Sequence, residues 1–312
     1  MKRRAAICIL LISSTSGIAA GERLRDSPDL RFWLENMIVD HGYSIEEAAS
    51  GLETTPQDIE QLLKELGISR AGEKREVAGR KTKVRPWAPG RHPRIGFLEG
   101  AINPQRDTKI SIFLPWDESA YVVLDLPEAV FSNLGLIYLA HTHVPTVWSE
   151  KGVELETIDW KRNADGILET SRRLPNNVSF GAKVWAVANG IEYEYWLENG
   201  TGEKLSGLRS QLCLMLKNAP GFNAQTGENK RLFDGAAAVR SEDGRRWIIT
   251  ACEKTGRTWQ NPPVPCIHAD PVFEDCEPGK RAMVKGAVWF YEGEDAASEI
   301  QRRKEKASSL PE

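Results

Sequence analysis

Three stretches between Trp160 and Cys252 share one pattern: a run alternating between apolar and polar residues, an Asp-Gly or Asn-Gly turn, and a second alternating run. Alternation at period two gives a pleated strand one apolar face, and these dipeptides are favoured in the tight turns of antiparallel hairpins. A two-residue loop at Asn189-Gly190 predicts Ala186 opposite Tyr193, Val184 opposite Tyr195 and Trp185 opposite Glu194. The turn at Asp243-Gly244 predicts Val239 opposite Ile248, and the turn at Asp165-Gly166 predicts Arg162 opposite Glu169. Further strand-like runs cover 95–98, 109–114, 121–126, 136–143, 205–216 and 282–291. No helical stretches alternate with them, so the expected fold is mainly β, an antiparallel β-sandwich rather than a parallel α/β sheet.

The period changes between Pro28 and Ile68. Leu30, Trp33, Leu34, Met37 and Ile38, then Ile59, Leu62, Leu63 and Leu66, follow the spacing of one helix face. Ser44 with Glu47 three residues on forms a capping box, and Thr55 before Pro56 marks a second helix start. The result is a small N-terminal helical module with a helix-turn-helix outline. Eleven Asp and Glu against five Lys and Arg between 21 and 70 argue against phosphate contact, so a nucleic-acid partner is not expected. Residues 71–93 read as a basic linker rich in Pro and Gly, residues 94–293 as the β-sandwich domain, and residues 294–312 as a charged tail.

With 312 residues and a net charge of −3, the chain has ample core and no global field for nucleic acid or anionic membrane. Lys2-Arg3-Arg4, the apolar stretch Ala5 to Ile12 and the small residues before Ala19 and Ala20 have the anatomy of a signal peptide over residues 1–20. The stretch is too short to span a bilayer. A periplasmic or secreted location is therefore expected, and disulfides with it. Of Cys213, Cys252, Cys266 and Cys276, the local pair Cys266 and Cys276 is the favoured bridge.

The segments Pro104-Gln105-Arg106-Asp107-Thr108-Lys109, Leu139-Ala140-His141-Thr142-His143-Val144-Pro145 and Gly221-Phe222-Asn223 resemble a family of secreted bacterial proteins without an assigned activity. The run Asn176 to Ala182, the strand Ile191 to Leu197, Glu198-Asn199-Gly200-Thr201, and Leu205 to Leu216 look like the centre of a galactose-mutarotase-like β-supersandwich domain. This resemblance implies the fold and an association with carbohydrate. The family's catalytic His-Pro pair is missing, because the corresponding strand reads Gln211-Leu212-Cys213-Leu214-Met215-Leu216. Sugar epimerisation by that mechanism is not implied.

Polar and aromatic residues at strand ends and in loops nominate one ligand-binding patch: Arg106, His141, His143, Asn223, Gln225, Trp259 and His268. Ten Trp, several beside polar clusters, suit stacking against sugar rings. His141 and His143, two apart on a strand, point to one face and with His268 form the alternative of a zinc or other divalent metal site. Asp270 is a candidate fourth ligand, and with Cys266 and Cys276 reduced a Cys/His zinc site is a further form of it. No cofactor is favoured and no catalytic residue is nominated. The leading expectation is a secreted carbohydrate-binding β-sandwich protein. The alternatives are a metal-dependent hydrolase or polysaccharide-acting enzyme on the same fold, and a DNA-binding regulator acting through the helical module.

Overall fold

A computed structural model of the chain describes residues 29–69, 82–93, 107–141 and 144–308. The expected signal peptide, the strand at 95–98, Arg106 and His143 lie outside the described residues.

Two antiparallel sheets carry the fold, as the alternating runs predict. The first contains β1 (Val84–Pro86), β2 (Lys109–Leu114), β3 (Asp117–Ser132), β4 (Gly135–Leu139), β9 (Arg209–Met215), β13 (Thr255–Asn261) and β14 (Cys266–Pro271). Its order is β1-β2-β3-β9-β14-β13, with β4 pairing the far end of β3. The second contains β5 (Lys161–Arg162), β6 (Leu168–Arg173), β7 (Val178–Val187), β8 (Gly190–Asn199), β10 (Lys230–Phe233), β11 (Ala236–Arg240), β12 (Arg246–Cys252) and β15 (Arg281–Glu292), ordered β10-β11-β12-β15-β8-β7-β6-β5. Ile110, Ile112, Val122, Leu124, Leu212, Leu214 and Ile267 from the first sheet meet Phe180, Val184, Ile191, Tyr193, Tyr195 and Val288 from the second in one core.

All three hairpins form, but two differ in register from the expectation. Val239 opposes Ile248 as predicted. Around residue 189 the turn is one residue earlier: Val187 pairs with Gly190, so Ala186 opposes Ile191 and Trp185 opposes Glu192. A shift of the partners by two keeps every side chain on its predicted face, which is why the apolar pattern alone could not detect it. Around residue 165, Arg162 pairs with Leu168 and Lys161 with Glu169. The Asn163 side chain accepts from the backbone N–H groups of Asp165 and Ile167, building a wider Asx-type loop.

The helical module comprises α1 (Leu30–Leu34) running into a π-helical turn (Glu35–Asp40), α2 (Ile45–Gly51) and α3 (Pro56–Leu66). The capping box closes with both bonds, Glu47 N to Ser44 Oγ at 3.1 Å and Ser44 N to Glu47 Oε2 at 2.8 Å. Thr55 caps α3 by accepting from Asp58 N, and Gly67 ends it in the left-handed conformation. The described part of the expected linker is not a free spacer. Its strand β1 joins the first sheet, and its basic residues meet the acidic module: Arg85 bonds Asp40 at 2.6 Å, Lys83 also reaches Asp40, and Arg91 bonds Glu47 at 2.6 Å. Opposite charges in adjacent segments thus clamp the module to the outer face of the first sheet.

The C-terminal segment also departs from the expected tail. Residues Ala296–Ser308 form α4, whose Ala296 and Ile300 pack on Ala236, Ala238, Trp247 and Trp289 of the second sheet. Asp295 accepts from the N–H groups of Ala297 and Ser298, fixing the start of the helix.

Candidate functional site

Strands β2 and β14 are buried on both faces, so the outer face of the first sheet is not a solvated surface. The pairing registers place Lys109 opposite Asp125, Asp125 opposite Cys213, Cys213 opposite His268, and His268 opposite Trp259. One row of side chains therefore crosses five strands on the face turned away from the inter-sheet core. All of it except Trp259 is buried. Burying ionisable groups costs several kcal/mol unless they are paired, so such a row asks for a role.

At one end lies a charged group. Lys109 Nζ sits 3.0 Å from Asp125 Oδ1, and His141 Nε2 lies 3.1 Å from Asp125 Oδ2 and 3.5 Å from Glu128 Oε1. On a regular strand Asp125 and Glu128, three residues apart, would face opposite ways. A bulge between Asp125 and Ala129 inserts extra residues opposite β9 and brings both carboxylates to His141. The backbone N–H of Ala140 donates to Glu128 O at 2.7 Å and holds the segment carrying His141 against the bulge.

At the other end, Cys213 Sγ, Cys266 Sγ and a ring nitrogen of His268 lie within 4.8 Å of one another. Cys266 Sγ is 3.4 Å from His268 Nε2, while Nδ1 on the opposite side of the ring is 3.4 Å from Asp270 Oδ1. Asp270 is itself fixed, accepting from Leu212 N at 3.0 Å and from Trp259 Nε1 at 2.7 Å. The Trp259 indole stacks on the imidazole with ring centres 3.8 Å apart, and Arg257 lies over the other face of the indole. Burial alone would lower the His268 pKa; the Cys213 sulfur, Asp270 and Glu128 outweigh it and raise it to about 10. Burial, reinforced by Cys266, pushes the Cys213 thiol well above its ordinary value.

The disulfide expectation is corrected: Cys213, Cys252, Cys266 and Cys276 are all free. Cys266 opens β14 on the outer face beside Cys213, whereas Cys276 belongs to the inter-sheet core and bridges Leu205. The two residues point to different layers.

Of the predicted site residues, the structure brings His141, Trp259 and His268 onto this single face. His141 and His268 fall in two separate groups, with β9 between Asp125 and His268. Asn223 braces its own loop by donating to Lys217 O, and Gln225 ties that loop to the β13–β14 connection by donating to Pro263 O. Trp185 and Trp196 lie on the outer face of the second sheet. Trp196 lies flat over Gly181, where a Cβ would meet its ring at 2.5 Å, beneath the Arg281 guanidinium. Sequence reasoning missed Lys109, Asp125, Glu128 and Cys213. Their signal is a charged residue or thiol inside an otherwise apolar run, as in Tyr121-Val122-Val123-Leu124-Asp125-Leu126.

His141 also borders a cavity of about 1100 Å³, walled by Trp87, Arg91, His92, Thr146, Trp148 and Glu150 among others. Trp148 is held by its Nε1, which donates to Ile137 O at 2.8 Å.

No protein-family model matches the chain, and no curated protein is similar to it. Among solved structures, the chain is similar to a putative kojibiose phosphorylase from human microbiome (9% identity, TM-score 0.32, 47% of this chain and 21% of that one). It is also similar to a polysaccharide lyase (11% identity, TM-score 0.32, 53% of this chain and 25% of that one). A Synechocystis protein matches at 10% identity and TM-score 0.33, over 60% of this chain and 89% of that one. The chain spans about a quarter or less of the length of the first two.

Proposed function

We propose that the protein binds carbohydrate in the cavity beside His141, as an exported protein. The observation that carries this reading is the composition of the cavity wall. Exposed Val144 and Val153, beside the buried indoles of Trp87 and Trp148, offer apolar surface for sugar C–H groups, while Arg91, His92, Thr146 and Glu150 supply donors and acceptors for hydroxyls. A volume of about 1100 Å³ accommodates more than one sugar ring. The basic, apolar and small-residue order of residues 1–20 supports export. A second reading, an enzyme acting on polysaccharide, is favoured by His141 itself. It is a cavity-wall imidazole backed by the Asp125 and Glu128 carboxylates, the setting of a general base.

His141→Ala is a poor probe, because it would leave two buried carboxylates facing the gap. Glu150 and Val153 are exposed on the cavity wall and test the site without that cost. A glycan array followed by calorimetry on the full chain should find a ligand whose affinity falls at least tenfold in Glu150→Ala and in the cavity-filling Val153→Trp, with the melting temperature unchanged. Absence of any bound glycan, or equal binding by Val153→Trp and the wild type, would overturn the proposal. Turnover of the bound glycan would select the enzyme.

A further inference from the structure

We infer that Cys213, Cys266 and His268 form a zinc site, with Asp270 as the carboxylate that orients the histidine and a fourth position left to water. The inference is independent of the sugar-binding cavity.

The first argument is donor chemistry. Two thiols and one imidazole converge with all donor atoms within 4.8 Å. Tetrahedral zinc, with Zn–S near 2.3 Å and Zn–N near 2.0 Å, holds such donors roughly 3.5–3.8 Å apart. The Cys266 Sγ to His268 Nε2 separation of 3.4 Å already meets that spacing. Only small side-chain adjustments are required.

The second argument lies behind the histidine. A metal-ligating imidazole usually turns its other nitrogen to a carboxylate, which fixes the tautomer and makes the ligand more basic. His268 presents Nε2 to the thiols and Nδ1 to Asp270, which Leu212 N and Trp259 Nε1 hold in place. The stacked Trp259 then restricts rotation of the ring. Two cysteines that merely filled a core would need neither a buried imidazole beside them nor a buried carboxylate behind it.

The third argument concerns selectivity. Asp125, Glu128 and His141 also gather their donor atoms, but Lys109 Nζ stands 3.0 Å from Asp125 and places a cation there already. The thiol group is the softer of the two and suits zinc over magnesium or calcium. Binding ionises both thiols and takes the proton from His268 Nε2, so three protons leave to solvent, the imidazole ligates as a neutral donor, and the site loads as the chain folds around the ion.

The test uses cobalt(II) as the probe, added alone during refolding of the full chain under reducing conditions. The expected result is one equivalent bound, with the thiolate-to-cobalt charge-transfer band of a two-sulfur tetrahedral site, displaced by zinc. The triple variant Cys8→Ser/Cys252→Ser/Cys276→Ser removes the other three thiols of the chain and should keep the band, since a serine can reproduce the hydrogen bonds of Cys252 to Thr255 and of Cys276 to Lys280. Cys266→Ser in that background should abolish it, and Asp270→Asn should weaken cobalt binding about 10- to 100-fold. The wild-type spectrum decides the matter even if a variant fails to fold. No charge-transfer band on the refolded chain, cobalt bound without it, or a band unchanged in folded Cys266→Ser would overturn the inference.

Discussion

Protonation of His41 should release the helical module from the first sheet. The ring is buried where the module meets the sheet, edge-on to Tyr43, Trp87, Phe113 and Tyr121 at centroid distances of 4.7–6.0 Å. Nδ1 lies 2.8 Å from Asn36 O, a pure acceptor, so Nδ1 carries the proton; Nε2 then accepts from the Ser111 hydroxyl at 2.7 Å. Either form of the ring finds partners on both sides, because the Ser111 hydroxyl can donate or accept, so the penalty on the charged form is its burial. Burial lowers its pKa to about 4; the Asn36 carbonyl and Asp40 oppose this, while Arg91 and Lys83 add to it. Above about pH 6.5 both folded and unfolded chains hold His41 neutral, and its contribution is constant. As pH falls below that value the unfolded chain takes up a proton that the folded chain refuses, and stability drops until about pH 4. At about 1.4 kcal/mol per pH unit, the interval from 6.5 to about 4 is worth roughly 3 kcal/mol. The assay is urea unfolding of wild type and His41→Gln at several values between about pH 7 and about pH 4. The glutamine amide can donate to Asn36 O and accept from Ser111, and it does not titrate. Other carboxylates titrate in both proteins and cancel in the difference. The wild-type advantage over the variant should shrink by roughly 2–3 kcal/mol across the range. A difference that stays flat, or a directly measured His41 pKa above about 6, would refute the reasoning.

Three further outcomes follow from the same packing. Asp125→Asn should cost about 3–5 kcal/mol by stripping a buried charge from Lys109 and His141, whereas Asp125→Leu combined with Lys109→Met should cost less than the sum of the two single changes. Strict additivity in denaturant unfolding would show that the pair does not act as a unit. Gly286→Ala should destabilise by about 1–3 kcal/mol, because the new Cβ would meet the Tyr193 ring 2.2 Å away in the core, and an unchanged urea midpoint would contradict that packing. Trp87 and Arg91 serve both the docked module and the cavity wall, so affinity for a cavity ligand should fall with the same low-pH midpoint as module release. Titration of ligand affinity against pH checks it, and separate midpoints would uncouple the two.

The second sheet was the more legible in sequence because much of it shows clear alternation. Strand β8 reads Ile191, Tyr193, Tyr195 and Leu197 into the core and its other residues outward, and its position follows from the pattern. Register was less legible. At the residue 189 hairpin a shift of the partners by two leaves every face unchanged, and at the residue 165 hairpin a shift by one accompanies the loop hydrogen bonds of Asn163. Strands β10, β13 and β14 lack sustained apolar alternation and are absent from the expected runs. The tail was read by its charge alone, although Ala296 and Ile300, four apart, are the contacts that seat α4.

The candidate site was harder to read because alternation disappears where both faces of a strand are buried. In β14 all six residues, Cys266-Ile267-His268-Ala269-Asp270-Pro271, are buried, and nothing in that string says which three share a face with Cys213. The cross-strand row depends on β3, β9 and β14 coming together, with Asp125 paired to Cys213 88 residues on and Cys213 to His268 55 residues on. His141 and His268 were visible as polar residues in unusual places, but they were assigned to one patch with His143. The registers instead give each its own neighbours: carboxylates and a lysine for His141, thiols and Asp270 for His268. The disulfide reading failed by the same route. Short separation made Cys266 and Cys276 the natural pair, yet strand direction sends one sulfur to the outer face and the other to the core, and it is the distant Cys213 that the sheet delivers to Cys266.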